Sequence, residues 1–184
     1  MNDMNESKIV AALSEIMAKK CGIPSDTAKR FRILGAIHDI GKIMLPFEIL
    51  NKPGKLNHQE TELIKTHTKL GAELLADIQG EIGEMARSVC LLHHEWYDGS
   101  KSYWGKLSSE LPVYIPVVSI CDVAVALLSK RSYKQSWTLE ETLEYIRARS
   151  GTQFSPMLTE IFLELMRNDE SVNILFANYN IKLP

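Results

Sequence analysis

The sequence predicts an all-α protein, and three observations carry that prediction. Apolar residues recur at helical spacing, as Ile9, Leu13 and Ile16 do at i, i+4 and i+7. Cap-type residues stand at the head of the periodic runs, and no stretch alternates apolar and polar residues as a half-buried strand would. At 184 residues, 45% apolar and 24% charged, the chain has the length and composition to bury one core. The expectation is a compact single domain spanning residues 1–184, a bundle of about seven or eight helices.

Each element has its own signal. The first helix carries Ile9, Leu13 and Ile16 and is stopped by Gly22 after Lys19 and Lys20. Ser25 caps a second, running through Phe31, Leu34 and Ile37 to His38-Asp39-Ile40-Gly41-Lys42. A loop follows, punctuated by Pro53-Gly54. Asn57 caps a helix with Gln59 and Glu60 in its first turn, and a break near Thr68 leads into another helix over 69–78. Residues 81–95 form a helix with Ile82, Met85, Val89 and Leu92 along one stripe. The aromatic, polar stretch 96–111 reads as a long surface loop, and 112–129 as an apolar helix. Thr138-Leu139-Glu140-Glu141 is a capping box for a helix reaching Arg149 and closed by Gly151. Ser155-Pro156 opens the last helix, which ends near Arg167.

Composition excludes several classes of function. The formal charge of −2 offers no global attraction to DNA, RNA or an anionic membrane, so an anionic ligand must be held by local cations. Cys21, Cys90 and Cys121 are odd in number, far apart and without a CxxC pair, which points to a reducing cytoplasm and to packing roles for Cys90 and Cys121. The most apolar window, 113–128, is shorter than a membrane span and contains Asp122.

The chemistry rests on four histidines, His38, His67, His93 and His94, together with Asp39 and Asp122. Imidazole suits iron, zinc and nickel, and a carboxylate can bridge two cations. Standing alone, His38-Asp39 would read as a helix-end histidine beside a surface carboxylate. Asp122 is more telling, because between Ile115 and Leu128 the only other polar side chain is Ser119. An ionised carboxylate there needs a metal, a cation or several donors to offset its desolvation. Lys42, three residues after Asp39, can hold a phosphate oxygen or orient a nucleophile, or simply complement a helix end. Arg131 and Lys134 can pinch a phosphate or form an ordinary basic turn. Trp96, Tyr97, Tyr103 and Trp104 can stack on a nucleobase or cover the core. His58 reads as a solvated surface residue.

In this order and spacing, these segments resemble the HD superfamily of metal-dependent phosphohydrolases, specifically its HD-GYP branch of bacterial cyclic di-GMP phosphodiesterases. The segments are HDIGK (38–42), LPFEILNKPGKL (45–56), KTHTKLGAELL (65–75), HHEWYDG (93–99), LPVYIPVVSICDV (111–123), RSYK (131–134) and GTQFSP (151–156). The resemblance implies an HD-type helical bundle and places metal ligands on His38, Asp39, His67, His93, His94 and Asp122, with Asp39 bridging two ions. It implies Lys42 as the active-site lysine and Arg131 and Lys134 as cations for the substrate phosphates. The cofactors implied are divalent transition ions, two or three in number, iron or manganese first and zinc or nickel also compatible with the donors.

The chain departs from the family pattern at three places. The GYP signature is degenerate: the ungapped register sets Lys101-Ser102-Tyr103 there, so Ser102 replaces the stacking tyrosine and Tyr103 or Trp104 is left to substitute. The first-helix histidine and the glutamate before it fall on Glu6 and Asn2, so Glu6 is the candidate oxygen ligand for a third ion. Val125 stands where the family has a second aspartate.

The expected function is metal-dependent hydrolysis of a cyclic dinucleotide, cyclic di-GMP first, by water activated between the ions, with Asp39 and Lys42 as the catalytic residues. Two alternatives compete with it. One is a module that has lost efficient catalysis and senses a nucleotide or docks on a signalling protein. The other is a phosphohydrolase for a different phosphate ester. Partners beyond the substrate would be a second copy of the chain or a signalling protein.

Overall fold

The computed structural model describes residues 2–105, 108–129 and 136–181. Among them the chain is helical, with no strand and a single isolated bridge between Ser150 and Phe154. The all-α expectation is borne out. Helix α1 (Asn2–Lys20) packs along α2 (Ser25–Ile37) and α7 (Tyr114–Leu128), and also meets α9 (Pro156–Asn168) and α10 (Glu170–Ala177). Helix α6 (Glu81–Leu92) touches α2 and α7. The remaining α-helices are α3 (Phe47–Leu50), α4 (His58–Lys65), α5 (His67–Leu74) and α8 (Leu139–Arg147).

The core explains the sequence pattern of α7. Ile115, Val117, Val118, Ile120, Cys121, Ala124, Val125 and Leu128 are all buried, so apolar residues occupy nearly every side of this helix. Around it lie Leu13 and Met17 of α1, Phe31 and Leu34 of α2, Val89 of α6, Leu143 and Ile146 of α8, and Phe162 of α9. Asp122 is the exception in this apolar run, and its side chain keeps 21% of its surface.

Two of the expected caps form as read. Asn57 Oδ1 accepts from Glu60 N while the Glu60 carboxylate accepts from Asn57 N, and Thr138 and Glu141 repeat the reciprocal arrangement. Other boundaries differ. Pro24, not Ser25, occupies the N-cap of α2, and Ser25 is its first helical residue. Helix α2 stops at Ile37, and Ile40–Met44 winds into a 3-10 turn instead of continuing it. The break expected near Thr68 falls at Thr66, so His67 opens α5. The single turn α3 and the terminal α10 were not expected. In α10 only Val172 and Phe176 are buried, too few to declare a helix before α9 provides a surface for them.

A close approach sets the site's frame. A Cβ on Gly41 would come 1.9 Å from the His67 carbonyl oxygen and 2.5 Å from Gly71 N. Only glycine lets the 3-10 turn seat directly on α5, which brings Asp39 up to His67.

Candidate metal centre

The candidate ligands sit mostly where helices end. His38 is the C-cap of α2, Asp39 precedes the 3-10 turn, His67 begins α5, His93 is the C-cap of α6 and His94 follows it. Only Asp122 comes from a helix interior. These positions have a physical use, because the last turn of a helix leaves carbonyls without intrahelical partners. His38 Nδ1 donates to Gly35 O (2.8 Å) at the end of α2, and His67 Nδ1 to Ile64 O (2.6 Å) at the end of α4. His93 Nδ1 lies 2.9 Å from Val89 O and 3.0 Å from Cys90 O at the end of α6. A carbonyl can only accept, so each Nδ1 carries a proton and each Nε2 is turned inward.

The three Nε2 atoms meet the two carboxylates. His67 Nε2 is 3.1 Å and His93 Nε2 3.7 Å from Asp39 Oδ1, while His38 Nε2 is 3.3 Å from Asp39 Oδ2 and 3.4 Å from Asp122 Oδ1. Lys42 Nζ donates to Asp39 Oδ2. Two donor groups result, Asp39 with His67, His93 and His94, and His38 with His93 and Asp122. Within each group the donor atoms lie within 4.8 Å of one another. The two oxygens of Asp39 thus face different sets of imidazoles, as a bridging carboxylate would. His38, His67 and His93 are each 1% exposed.

This arrangement fits metal ions. His38 Nε2 and Asp39 Oδ1 are buried, yet neither makes a hydrogen bond of good geometry. Each lies 3.1–3.7 Å from other donor atoms, so its capacity to bind is left for a ligand. Electrostatics agree. Burial works against a charge on His38, but the adjacent Asp39 and Asp122 outweigh it and raise its pKa to about 10. Burial likewise opposes charge on both carboxylates, and the His38 charge, joined by Lys42 at Asp39, holds them well below their usual range. Burial lowers His93 well below its ordinary value and His94 to about 4, so both imidazoles are neutral at pH 7. Cys90 is not a competing ligand: burial pushes its thiol up to about 12, and Sγ donates to Ile37 O.

Other expected residues lie elsewhere or outside the described set. Glu6 is half-buried on α1 and belongs to neither donor group. Arg131 and Lys134 lie outside the described residues. The stretch expected as a surface loop is partly built in: Tyr97 N and Asp98 N donate to Gln153 O and Thr152 O, tying it to the GTQFSP segment. Ser102 Oγ accepts from Trp96 N, which closes the loop on itself. Tyr103 stacks on His94 with ring centroids 4.6 Å apart, and Trp104 Nε1 donates to Thr68 Oγ1. His58 is exposed, as expected.

Several contributors were missed from the sequence. Gly41 is legible only once α5 lies against it. Glu95 is 1% exposed and accepts from Trp104 N, and a buried carboxylate beside His94 was signalled only by its place in HHEWYDG. Lys69 Nζ sits 4.0 Å from the centroid of the Trp104 ring, and Lys65 Nζ 5.2 Å from that of Tyr103.

Imidazoles and one acid presented from helix ends, and a second acid from a helix interior, on an all-α frame define a metal-binding HD domain, and the chain belongs to that family, whose model matches residues 2–158. Within it, the relatives place the chain in the HD-GYP branch. It is 34% identical over 148 residues to the cyclic di-GMP phosphodiesterase response regulator RpfG of Xanthomonas campestris, covering 80% of this chain and 39% of that protein. It is 36% identical over 156 residues to the 3'3'-cGAMP-specific phosphodiesterase 2 of Vibrio cholerae, covering 84% of this chain and 30% of the relative. The chain therefore spans less than half the length of these relatives. Among solved structures, Bd1817, a HDG"Y"P protein from Bdellovibrio bacteriovorus, superposes with a TM-score of 0.69 at 16% identity, over 89% of this chain and 52% of that one. At that identity the likeness speaks for the fold. None of the described helices is long and apolar enough to cross a membrane.

Proposed function

We propose that this chain is a metal-dependent phosphodiesterase that hydrolyses a cyclic dinucleotide, cyclic di-GMP or 3'3'-cGAMP. One observation carries the reading: two donor groups share His93, and the two oxygens of Asp39 face His67 of one group and His38 of the other. The named activities of the two curated relatives supply the substrate class. His38, Asp39, His67, His93, His94 and Asp122 would hold two divalent ions, with iron or manganese the first to be tried and zinc or nickel the controls. Glu6 is kept as the candidate for a third. Bound, such ions supply Lewis-acid activation of water and of the phosphoryl group.

The chain's own residues do the rest. Asp39 holds both donor groups to one carboxylate, and Lys42 fixes its Oδ2 while setting an ammonium at the edge of the site. That charge is the one we assign to a phosphate oxygen of the substrate, with Arg131 and Lys134 assigned to the second phosphate. Tyr103, which stacks on His94, and its neighbours Ser102 and Trp104 are the candidate substrate contacts. We take residues 1–184 to act as one unit, since α1 packs against both α9 and α10, and the unpaired thiols of Cys21, Cys90 and Cys121 favour a reducing cytoplasm.

The test is hydrolysis of cyclic di-GMP and 3'3'-cGAMP by protein loaded with iron or manganese, beside the Asp39→Ala variant. The expected result is turnover of at least one dinucleotide that the variant loses. Turnover unchanged by Asp39→Ala would overturn the assignment.

A further inference from the structure

The four histidines are not held alike. His38, His67 and His93 each anchor Nδ1 on a carbonyl at the end of a helix, which fixes the ring and turns Nε2 inward. His94 lies one residue further along, past the α6 cap, and makes no such bond among the described residues. Its ring is instead packed between aromatic neighbours. It lies 4.0 Å from His93 and 5.3 Å from His67 by centroid, and it is stacked on Tyr103 at 4.6 Å with the planes only 28° apart. The contacts with His93 and His67 are tilted or edge-on, so Tyr103 presents the flat surface against which His94 can be held.

The Tyr103 ring is itself secured. Lys65 Nζ lies over it, Trp96 N donates to the hydroxyl of its neighbour Ser102, and Trp104 on its other side is tied by Nε1 to Thr68 Oγ1 and by its backbone N to the buried Glu95. We infer that Tyr103 is the positioning residue of His94: its ring replaces the carbonyl anchor of the other three histidines and holds the imidazole in its ligand orientation. An outer partner of a ligand is worth roughly 10–100-fold in metal affinity, and here the partner is an aromatic face instead of a hydrogen-bond acceptor. The inference rests on the proposed reading of His94 as an ion ligand. It also separates Tyr103 from a free base-stacking platform, because one face of the ring is spent on the imidazole.

The experiment measures binding of Mn²⁺ and Co²⁺ to the full chain by chelator competition, together with the Co²⁺ ligand-field spectrum. The proteins are wild type, Tyr103→Leu, Tyr103→Phe, His94→Ala and the double variant Tyr103→Leu/His94→Ala. Tyr103→Leu is expected to weaken one ion by about tenfold and alter the spectrum, leaving the other ion unchanged. Tyr103→Phe, which keeps the ring, restores wild-type affinity. In the His94→Ala background Tyr103→Leu has no further effect. Three results would overturn the inference: wild-type affinity in Tyr103→Leu, failure of phenylalanine to rescue, or losses that simply add in the double variant. A His94→Ala protein that binds both ions like wild type would instead sink the ligand reading beneath it.

Discussion

His67 Nε2 and Asp39 Oδ1 stand 3.1 Å apart, although one residue begins a helix and the other precedes a 3-10 turn well upstream in the chain. Their meeting depends on Gly41. The turn can lie on α5 only because no side chain intervenes between Gly41 and the His67 carbonyl.

Gly41→Ala should therefore do more harm than an ordinary surface change. Its Cβ would meet backbone at 1.9 and 2.5 Å, and backbone cannot swing aside. We expect a loss of stability of at least about 1–3 kcal/mol together with loss of ion binding. Gly71→Ala, whose Cβ would approach Cys90 Cβ at 3.2 Å, should cost less. Thermal denaturation and metal analysis of both variants would check the order.

Asp39→Asn removes the charge shared by the two donor groups and keeps the shape. The expected outcome is fewer than two ions per chain and turnover reduced by more than roughly a hundredfold, beyond the range of outer-sphere changes. Elemental analysis alongside a hydrolysis assay reads both effects.

The pH dependence follows from His38. In chelator-treated protein at neutral pH this imidazole is protonated, since its pKa is raised to about 10 against an ordinary 6.5. An ion ligated there must displace that proton, so its apparent affinity should climb about tenfold per pH unit between pH 7 and 9. Calorimetry in two buffers of different ionisation enthalpy should find one proton released.

Stability of the metal-free protein should respond with two signs. A raised folded-state pKa stabilises fully below 6.5 and loses that contribution as pH climbs toward 10, which is the His38 case. His94 is the reverse. Its pKa is lowered to about 4, so the unfolded chain takes up its proton first and stability falls as pH drops from 6.5 toward 4. Denaturant titrations of wild type and His94→Ala across that acid range should show the slope shrink in the variant.

A change remote from the site serves as the contrast. Asn57→Ala breaks the capping box of α4 and should cost about 1 kcal/mol, leaving ion binding intact. For a chain of this size that is a fall in Tm of about 2–4 °C.

What could be read in advance was local. The caps at Asn57 and Thr138, the proline at the head of α9 and the glycine after α1 are short-range chemistry, and they appear in the structure close to where the residues announce them. The ligand types were legible for a related reason: an acid such as Asp122 in an otherwise apolar helix demands a partner whatever the fold. The end of α2, the break at Thr66 and the helix α10 were less so, because each depends on what packs against it.

The sequence by itself thus determined an all-helical chain and the identity of the side chains able to hold cations. Only tertiary structure decided which atoms meet. It selected Nε2 over Nδ1 by offering helix-end carbonyls to the other nitrogen, and it split the Asp39 carboxylate between two sets of imidazoles. It also laid Tyr103 on His94. The physical reason is that a cap or a periodic stripe is settled within one or two turns of chain, whereas convergence at a point is a property of several helices packed together.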